Sequence, residues 1–434
     1  MLRDDSPQLL ATRRDFLIGA SLATAGFAAG GRIVRGADSS ASQVGRKFTS
    51  ARREIRDAKT GRRLIQLTDD DCFDMPMYYY IPTYSRDGRA IVFQRYNQRT
   101  GEVQLYKIDV ASGETVQLTA AKTPNALWRP HLQAPGFGVR DLLCAVNTAA
   151  NEAIYFDDRE IRSVHLDTLA DRVIGHVPDD RTPSGLTGVS PDGRWFVYPH
   201  FDRAWWEANL PPKPQPERWE PRDSRLDLLE IATGKVTTLM YVNFWITHSN
   251  FYDNNRILFC HTATDYAVLL TDLRNPGLYE NIRAHSGDGW PNHYQATDKG
   301  ITYEMLNSAK GGPTVAGIYD PDTHRRREYK LALGTNRLHI GRDPEARLWF
   351  YEGSVDGYPT IVYFPRLKAG ELNPGQPLIG DEFVTYSNNQ RSHYHPSVTP
   401  DRKHILFTGG DRRNQTNHLF LLDIADLADT ELVG

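Results

Sequence analysis

Short runs rich in β-branched and aromatic residues, each closed by a turn, recur in one frame along most of this chain. YYYIPTYSRDGRAIVFQ, from Tyr78, and VQLYKIDVASGETVQLT, from Val103, read as strand, Asp-Gly turn, strand, then strand, Ser-Gly turn, strand. The frame returns at GLTGVSPDGRWFVYP with RLDLLEIATGKVTTL, at HSNFYDNNRILFCH with YAVLLTDL, at HYQATDKGITYE, at HIGRDPEARLWFYE, and at HYHPSVTPDRKHILFTGG with HLFLLDI. A weaker copy, WRPHLQAPGFGVRDLLCAV with IRSVHLDTLADRVI, fills the gap after the first. Beyond about residue 50 no stretch carries sustained helical periodicity. Each unit is one four-stranded antiparallel sheet. Roughly seven units of about 45 to 60 residues predict an all-β, seven-bladed β-propeller, with six or eight blades as the alternatives.

A stack of such sheets must deal with its edges. IRDAKTGRRLIQLT, from Ile55, copies the fourth-strand turn of IDVASGETVQLT but has no blade before it, while the last unit reaches its third strand at LFLLDI and then nearly runs out of chain. The N-terminal segment is therefore expected to add the outer strand of the last blade. Residues 46–434 form a single propeller domain on this reading. Residues 1–45 are expected to be a twin-arginine signal and a disordered linker: TRRDFLIGASLATAGFAAGG pairs Arg13 and Arg14 with Phe16, Leu17 and a weakly apolar run, with cleavage near the alanines after Gly26 or around Ala37. That run is short for a membrane span, so export to the periplasm or another extracytoplasmic space is expected, without stable insertion once the signal is removed.

Composition narrows the function. The formal charge is −3, from 51 basic and 54 acidic residues, which argues against a nucleic-acid partner. Cys72, Cys144 and Cys260 lie in or beside apolar runs with no CxxC pair, so they read as buried free thiols. The proline-rich excursion from Trp205 to Arg225 reads as a surface loop or a lip over a sugar site. Oligomeric state is not legible.

When the units are aligned on their turns, the residue about seven places upstream is the one that brings each innermost strand to one mouth of the central channel. In order this column reads Ile81, Arg129, Leu186, His248, His293, His339 and His395. Histidine makes up 14 of 434 residues, so its presence in consecutive units at one position points to a cluster. Neutral imidazoles bind Zn, Mn, Fe, Ni or Cu, and three with an oxygen donor leave coordination positions for a substrate. His393, two residues before His395, points the same way along a strand and is a ligand or a substrate contact. Arg129 enters the same mouth as a carboxylate contact or a surface ion pair. His261 lies beyond the first-strand column and is the more ambiguous substrate contact.

These segments resemble the oligogalacturonate lyases. YHPSVTPDRKHILFTGGD is similar to that family's HPHPSFTPD segment and the VLFTSD that follows it, NRLH to its Gln-x-x-His pair, HYQATDKG to its HEFW stretch, HSNFYDNNRILFCH to the segment bearing its catalytic histidine, and SRLDLLEIATG to its arginine-bearing strand. The resemblance implies a metal-dependent lyase that cleaves short uronate oligosaccharides such as digalacturonate by β-elimination. It makes His293, His339, His395 and Asn336 the metal ligands, usually for manganese, with other divalent ions possible. It makes His248 the base and Arg225 a contact for a substrate carboxylate. Three departures bear on the substrate: asparagine replaces glutamine at 336, TAT follows FCH in place of EGP, and HYQA replaces HEFW. A non-catalytic exported propeller that binds sugar or protein is the alternative. The propeller half of a serine peptidase is disfavoured by the lack of GxSxG.

Overall fold

The computed structural model describes residues 43–97, 100–122, 124–125, 136–139, 143–209, 223–262, 267–284, 289–306, 313–333, 339–355, 358–380, 382–383, 393–411 and 416–434. The twin-arginine segment, Arg129 and Asn336 lie outside these residues. Gln43–Gly434 gathers as one compact unit. Apart from a single short helix, Arg203–Asn209, every regular element among the described residues is a strand. None of their helices is long and apolar enough to cross a membrane.

The strands form a succession of antiparallel ladders in chain order. The first runs Phe73–Pro76, Ala90–Asn97, Glu102–Asp109 and Thr115–Gln117. The second runs Ala145–Asn147, Glu152–Asp157, Glu160–His165 and Asp171–His176. In the third, Gly188–Val189 pairs with Trp195–Asp202, followed by Ser224–Glu230 and Val236–Val242. Trp245–Phe251, Arg256–Thr262, Ala267–Asp272 and Tyr279–Ala284 make the fourth, and Trp290–Thr297, Gly300–Leu306, Thr314–Asp320 and Arg325–Ala332 the fifth. In the sixth, Phe350–Val355 lies between Tyr358–Tyr363 and the bridge residue Ile340. The last joins Ser397–Val398, His404–Asp411 and Thr416–Asp423.

Apolar alternation explains why the ladders stack. In Arg256–Thr262, Ile257 and Phe259 pack with Val197, Leu226 and Leu228 of the third sheet, while Leu258 and Cys260 pack with Tyr294, Ile301 and Tyr303 of the fifth. A strand with both faces covered reads as a continuous apolar run, as RILFC does. Each large side chain buried in this way contributes about 1.5–3 kcal/mol. The turns repeat a local device as well. The hydroxyl of Ser85 donates to Asp87 at 2.7 Å and that of Ser190 to Asp192 at 2.5 Å, and each turn closes on a glycine at positive φ: Gly88 at 71° and Gly193 at 74°.

The structure departs from the sequence expectations in four places. Two N-terminal strands join the last sheet, not one: Arg63–Gln66 pairs with Thr416–Asp423, and Arg53–Arg56 pairs with Arg63–Gln66. In the weakly marked second unit the glycines do not form the turn; Gly136–Gly138 pairs in parallel with the first sheet at Glu102 and Val103, and the second sheet begins later, at Ala145. The proline-rich excursion starts as the helix Arg203–Asn209, because Trp206 is buried against Phe201 and Arg203 pairs with Glu207 one turn on at 2.8 Å. Cys144 and Cys260 are buried free thiols, whereas Cys72 is partly exposed.

Candidate functional site

The leading segments of four successive sheets bring five histidines together: His248 and His293 on strands, His339 beside the bridge residue Ile340, and His393 and His395 ahead of Ser397–Val398. Ring centroids lie 4.5 Å apart for His293 and His339, 4.3 Å for His339 and His395, 5.0 Å for His339 and His393, and 5.9 Å for His248 and His293. His339 and His395 are almost fully buried, and His248 and His393 nearly so. Residues separated by more than a hundred positions in sequence therefore share one cluster.

The backbone is irregular at these histidines. The pairing of Trp245–Phe251 shifts register between Ile246 and Ser249, around His248, and that of Trp290–Thr297 shifts between Asn292 and Tyr294, at His293. Such bulges re-aim a side chain. His395 takes a left-handed conformation, φ 43°, directly before Pro396, at a cost of about 1–3 kcal/mol. Neighbouring sheets fasten the irregular backbone. The amide of Leu186 donates to the carbonyl of Thr247 at 2.8 Å, and the amide of Ser249 donates to that of Leu186 at 3.1 Å.

Two carboxylates stand behind the imidazoles. Glu352 Oε2 lies 2.6 Å from His339 Nδ1, its Oε1 lies 3.5 Å from His393 Nδ1, and Glu304 contacts His293 Nδ1. Burial, reinforced by the like charge of Glu352, pushes the Glu304 carboxyl well above its ordinary range. A carboxylate on Nδ1 fixes the ring and makes Nε2 the coordinating atom, the usual arrangement behind a metal-binding histidine. His339, Glu352 and His393 also form a group whose ligand atoms lie within 4.8 Å of one another. The 2.6 Å separation within that group is a hydrogen bond, so Glu352 orients His339 instead of sharing an ion with its Nδ1. The donor set of several imidazoles over buried carboxylates fits a divalent transition ion.

Tyrosines of the first sheet complete the wall. Tyr78 meets four of the histidine rings, at 4.9 Å for His395, 5.4 Å for His248, 5.6 Å for His339 and 6.5 Å for His293. Its hydroxyl lies 3.3 Å from His248 Nε2. Tyr79 packs on His293 and His339, and its hydroxyl donates to the carbonyl of Tyr294 at 3.1 Å. Burial pushes the Tyr79 hydroxyl well above its ordinary range.

The residues singled out from sequence fall into three groups. His248, His293, His339, His393 and His395 converge. Arg225 is half-buried on the third strand of its sheet, held by Asp223 at 3.4 Å and lying over the Tyr241 ring at 5.1 Å; its contacts among the described residues are with these two side chains and not with the histidines. The backbone of His261 pairs with Ile246 and Ala267. Tyr78, Glu304 and Glu352 were missed. A signal for the glutamates was present, because both close the repeat strings that begin at His293 and His339, each on the second strand of its sheet.

A family model described as oligogalacturonate lyase matches residues 43–274. The oligogalacturonate lyase of Dickeya dadantii (strain 3937) is 24% identical over 390 residues, which cover 84% of this chain and 94% of that protein. The oligogalacturonide lyase of Pectobacterium atrosepticum is likewise 24% identical, over 389 residues, with the same coverage of 84% and 94%. Among solved structures, an oligogalacturonate lyase in complex with manganese superposes with a TM-score of 0.70 at 20% identity, over 89% of this chain and 99% of that one. An oligogalacturonate lyase from Vibrio parahaemolyticus gives a TM-score of 0.69 at 18% identity, over 88% and 99%.

Proposed function

Since the chain belongs to the oligogalacturonate lyase family, we propose that it is a divalent-metal-dependent lyase that cleaves short oligogalacturonides such as digalacturonate by β-elimination. The observation that carries this reading is the convergence of His248, His293, His339, His393 and His395, two of them backed by Glu304 and Glu352. His293, His339 and His395 are the proposed ligands, with His393 beside them on the Glu352 carboxylate and Asn336 as a further donor. The manganese in the solved relative makes manganese the expected ion. When bound, a divalent ion supplies Lewis-acid stabilisation of negative charge on the uronate carboxylate.

The chain's own groups do the rest. The proton α to a uronate carboxylate is weakly acidic, and an imidazole near neutral pKa is suited to remove it. His248 takes that proton, the electron pair left on carbon forms the new double bond, and the C4–O bond breaks with its electrons going to the leaving oxygen, which takes up a proton from solvent as the leaving sugar departs. The products are an unsaturated uronate, which rearranges to a keto-deoxyuronate, and the shortened chain. Arg225 and Arg129 are the proposed contacts for substrate carboxylates, with His261 as a further contact.

The architecture proposed with this function is a seven-bladed propeller. The succession of ladders supports it, as does the pairing of Leu64 with Leu422, which carries the N-terminal segment into the last sheet. The domain division at about residue 45 and export by the twin-arginine route are part of the same proposal, supported by Arg13, Arg14 and the apolar run after them.

The test is incubation of the protein with digalacturonate, with and without Mn, reading products by mass spectrometry. An unsaturated or keto-deoxy product that depends on Mn is expected, with activity lost in His248→Ala and His395→Ala. Metal retention without product would leave a binding propeller. Full activity in both variants would refute the site.

A further inference from the structure

In the fourth, fifth and sixth sheets the second strand brings a partner up behind the histidine that leads the sheet. Behind His293 and His339 this partner is a glutamate. Behind His248 it is Cys260, whose Sγ lies 3.2 Å from His248 Nδ1, and the hydroxyl of Thr247 joins it at 2.8 Å from the same nitrogen and 3.0 Å from the sulfur. All three side chains are buried. Consecutive residues of a regular strand point to opposite faces, and here the shift in register between Ile246 and Ser249 lets Thr247 and His248 meet.

We propose that Thr247 and Cys260 are positioning residues that hold His248 with its proton on Nδ1, so that Nε2 is the atom that takes the substrate proton. This rests on the reading of His248 as the base. A hydroxyl oxygen is a better acceptor than a thiol, so Nδ1–H donates to Thr247 Oγ1, while the sulfur packs against both the oxygen and Nδ1. On the opposite edge of the ring the Tyr78 hydroxyl, 3.3 Å from Nε2, donates to that nitrogen's lone pair and marks it as the accepting atom. The contrast with the neighbouring sheets is one of charge: glutamate stands behind His293 and His339, two of the rings assigned to metal, and a neutral hydroxyl and thiol stand behind the ring assigned to proton transfer. The neutral pair fixes tautomer and orientation without adding an anion. The backbone hydrogen bonds between Leu186 and both Thr247 and Ser249 keep the hydroxyl in place.

Thr247→Val keeps the side-chain shape and removes the hydroxyl. It is expected to lower kcat on digalacturonate by about 10- to 100-fold, with KM and bound Mn per chain unchanged. Thr247→Ser is expected to restore most of the loss, and Cys260→Ala to cost less than Thr247→Val. Should Thr247→Val fail to fold, Thr247→Ala and Thr247→Ser provide the same comparison. His248→Ala is measured in parallel. If it remains active, the base assignment itself falls. If it is inactive while Thr247→Val turns over like wild type, or if Thr247→Ser is as impaired as Thr247→Val, the positioning role alone is overturned.

Discussion

His200 and His339 are both buried against a carboxylate, but they draw their neighbours from different places. The groups around His200 come from its own sheet and the connection beside it. Arg181 Nε donates to Nδ1 at 2.9 Å, Nε2 donates to Asp227 at 2.8 Å, and Arg181 is anchored in turn by Asp223 at 2.6 Å. His339 has one nitrogen on Glu352 of its own sheet, and its ring meets His293 from the sheet before, His393 and His395 from the sheet after, and Tyr78 and Tyr79 from the first. Burial and a carboxylate partner are common to both. Convergence from several sheets belongs to His339 alone of the two, and it turns a satisfied polar network into a place where an ion and a substrate can meet.

The widest separation between the two regions is expected from Asp227→Ala. It leaves the Nε2–H of His200 buried without its acceptor, while Arg181 keeps Asp223, and should cost about 1–3 kcal/mol in urea unfolding while Mn per chain stays at the wild-type value. Loss of Mn in that variant would mean that the two networks are not separate. Glu352→Gln should do the reverse, weakening Mn binding by about 10- to 100-fold in a competition titration with the unfolding midpoint near wild type. A smaller effect is expected at His395: both His395→Gly and His395→Ala remove the imidazole, but glycine tolerates the positive φ and should be more stable than alanine by about 1 kcal/mol. Equal stabilities would remove the argument for strain there.

The smallest effect is a drift with acid. Burial alone would raise the Asp227 pKa, but the hydrogen bond and charge of His200 outweigh it and hold the carboxyl below its ordinary 3.8. A depressed folded pKa contributes stability that is complete above the unfolded value and fades as pH falls through the folded one. Unfolding free energy measured from pH 6 down through pH 4 and lower should fall more steeply in wild type than in Asp227→Ala, which keeps the other depressed aspartates, such as Asp223 and Asp401.

How much of this was legible in the sequence depends on which interaction decided each feature. The ladders were legible because alternating apolar residues and S-x-D-G turns act locally. The column of His248, His293, His339 and His395 was legible because a repeat converts position in sequence into position in space. The second unit was misread because Gly136 and Gly138 look like turn residues, whereas they belong to a strand in which Phe137 and Gly138 pair in parallel with Glu102 and Val103 of another sheet. The bulges at His248 and His293 and the left-handed turn at His395 arise from packing between sheets and have no local signature. Tyr78 was passed over because it precedes the column position of Ile81, although its ring reaches the cluster. The His200 network went unseen because its histidine lies on a second strand, where the repeat gives no reason to look.

Between His393 and His395, Tyr394 points away from the site, donating its hydroxyl to the carbonyl of Phe383 at 2.7 Å and packing on Phe407. The segment therefore has a phase: two groups for chemistry with an anchor between them, each correct only if the other is. Loss or gain of one residue here would turn the phenol toward the cluster and the imidazoles toward the core, exchanging the site for its own support. Such a segment can change by substitution but not by length, so a shift in reading of a single position would abolish the cluster while leaving its composition unchanged.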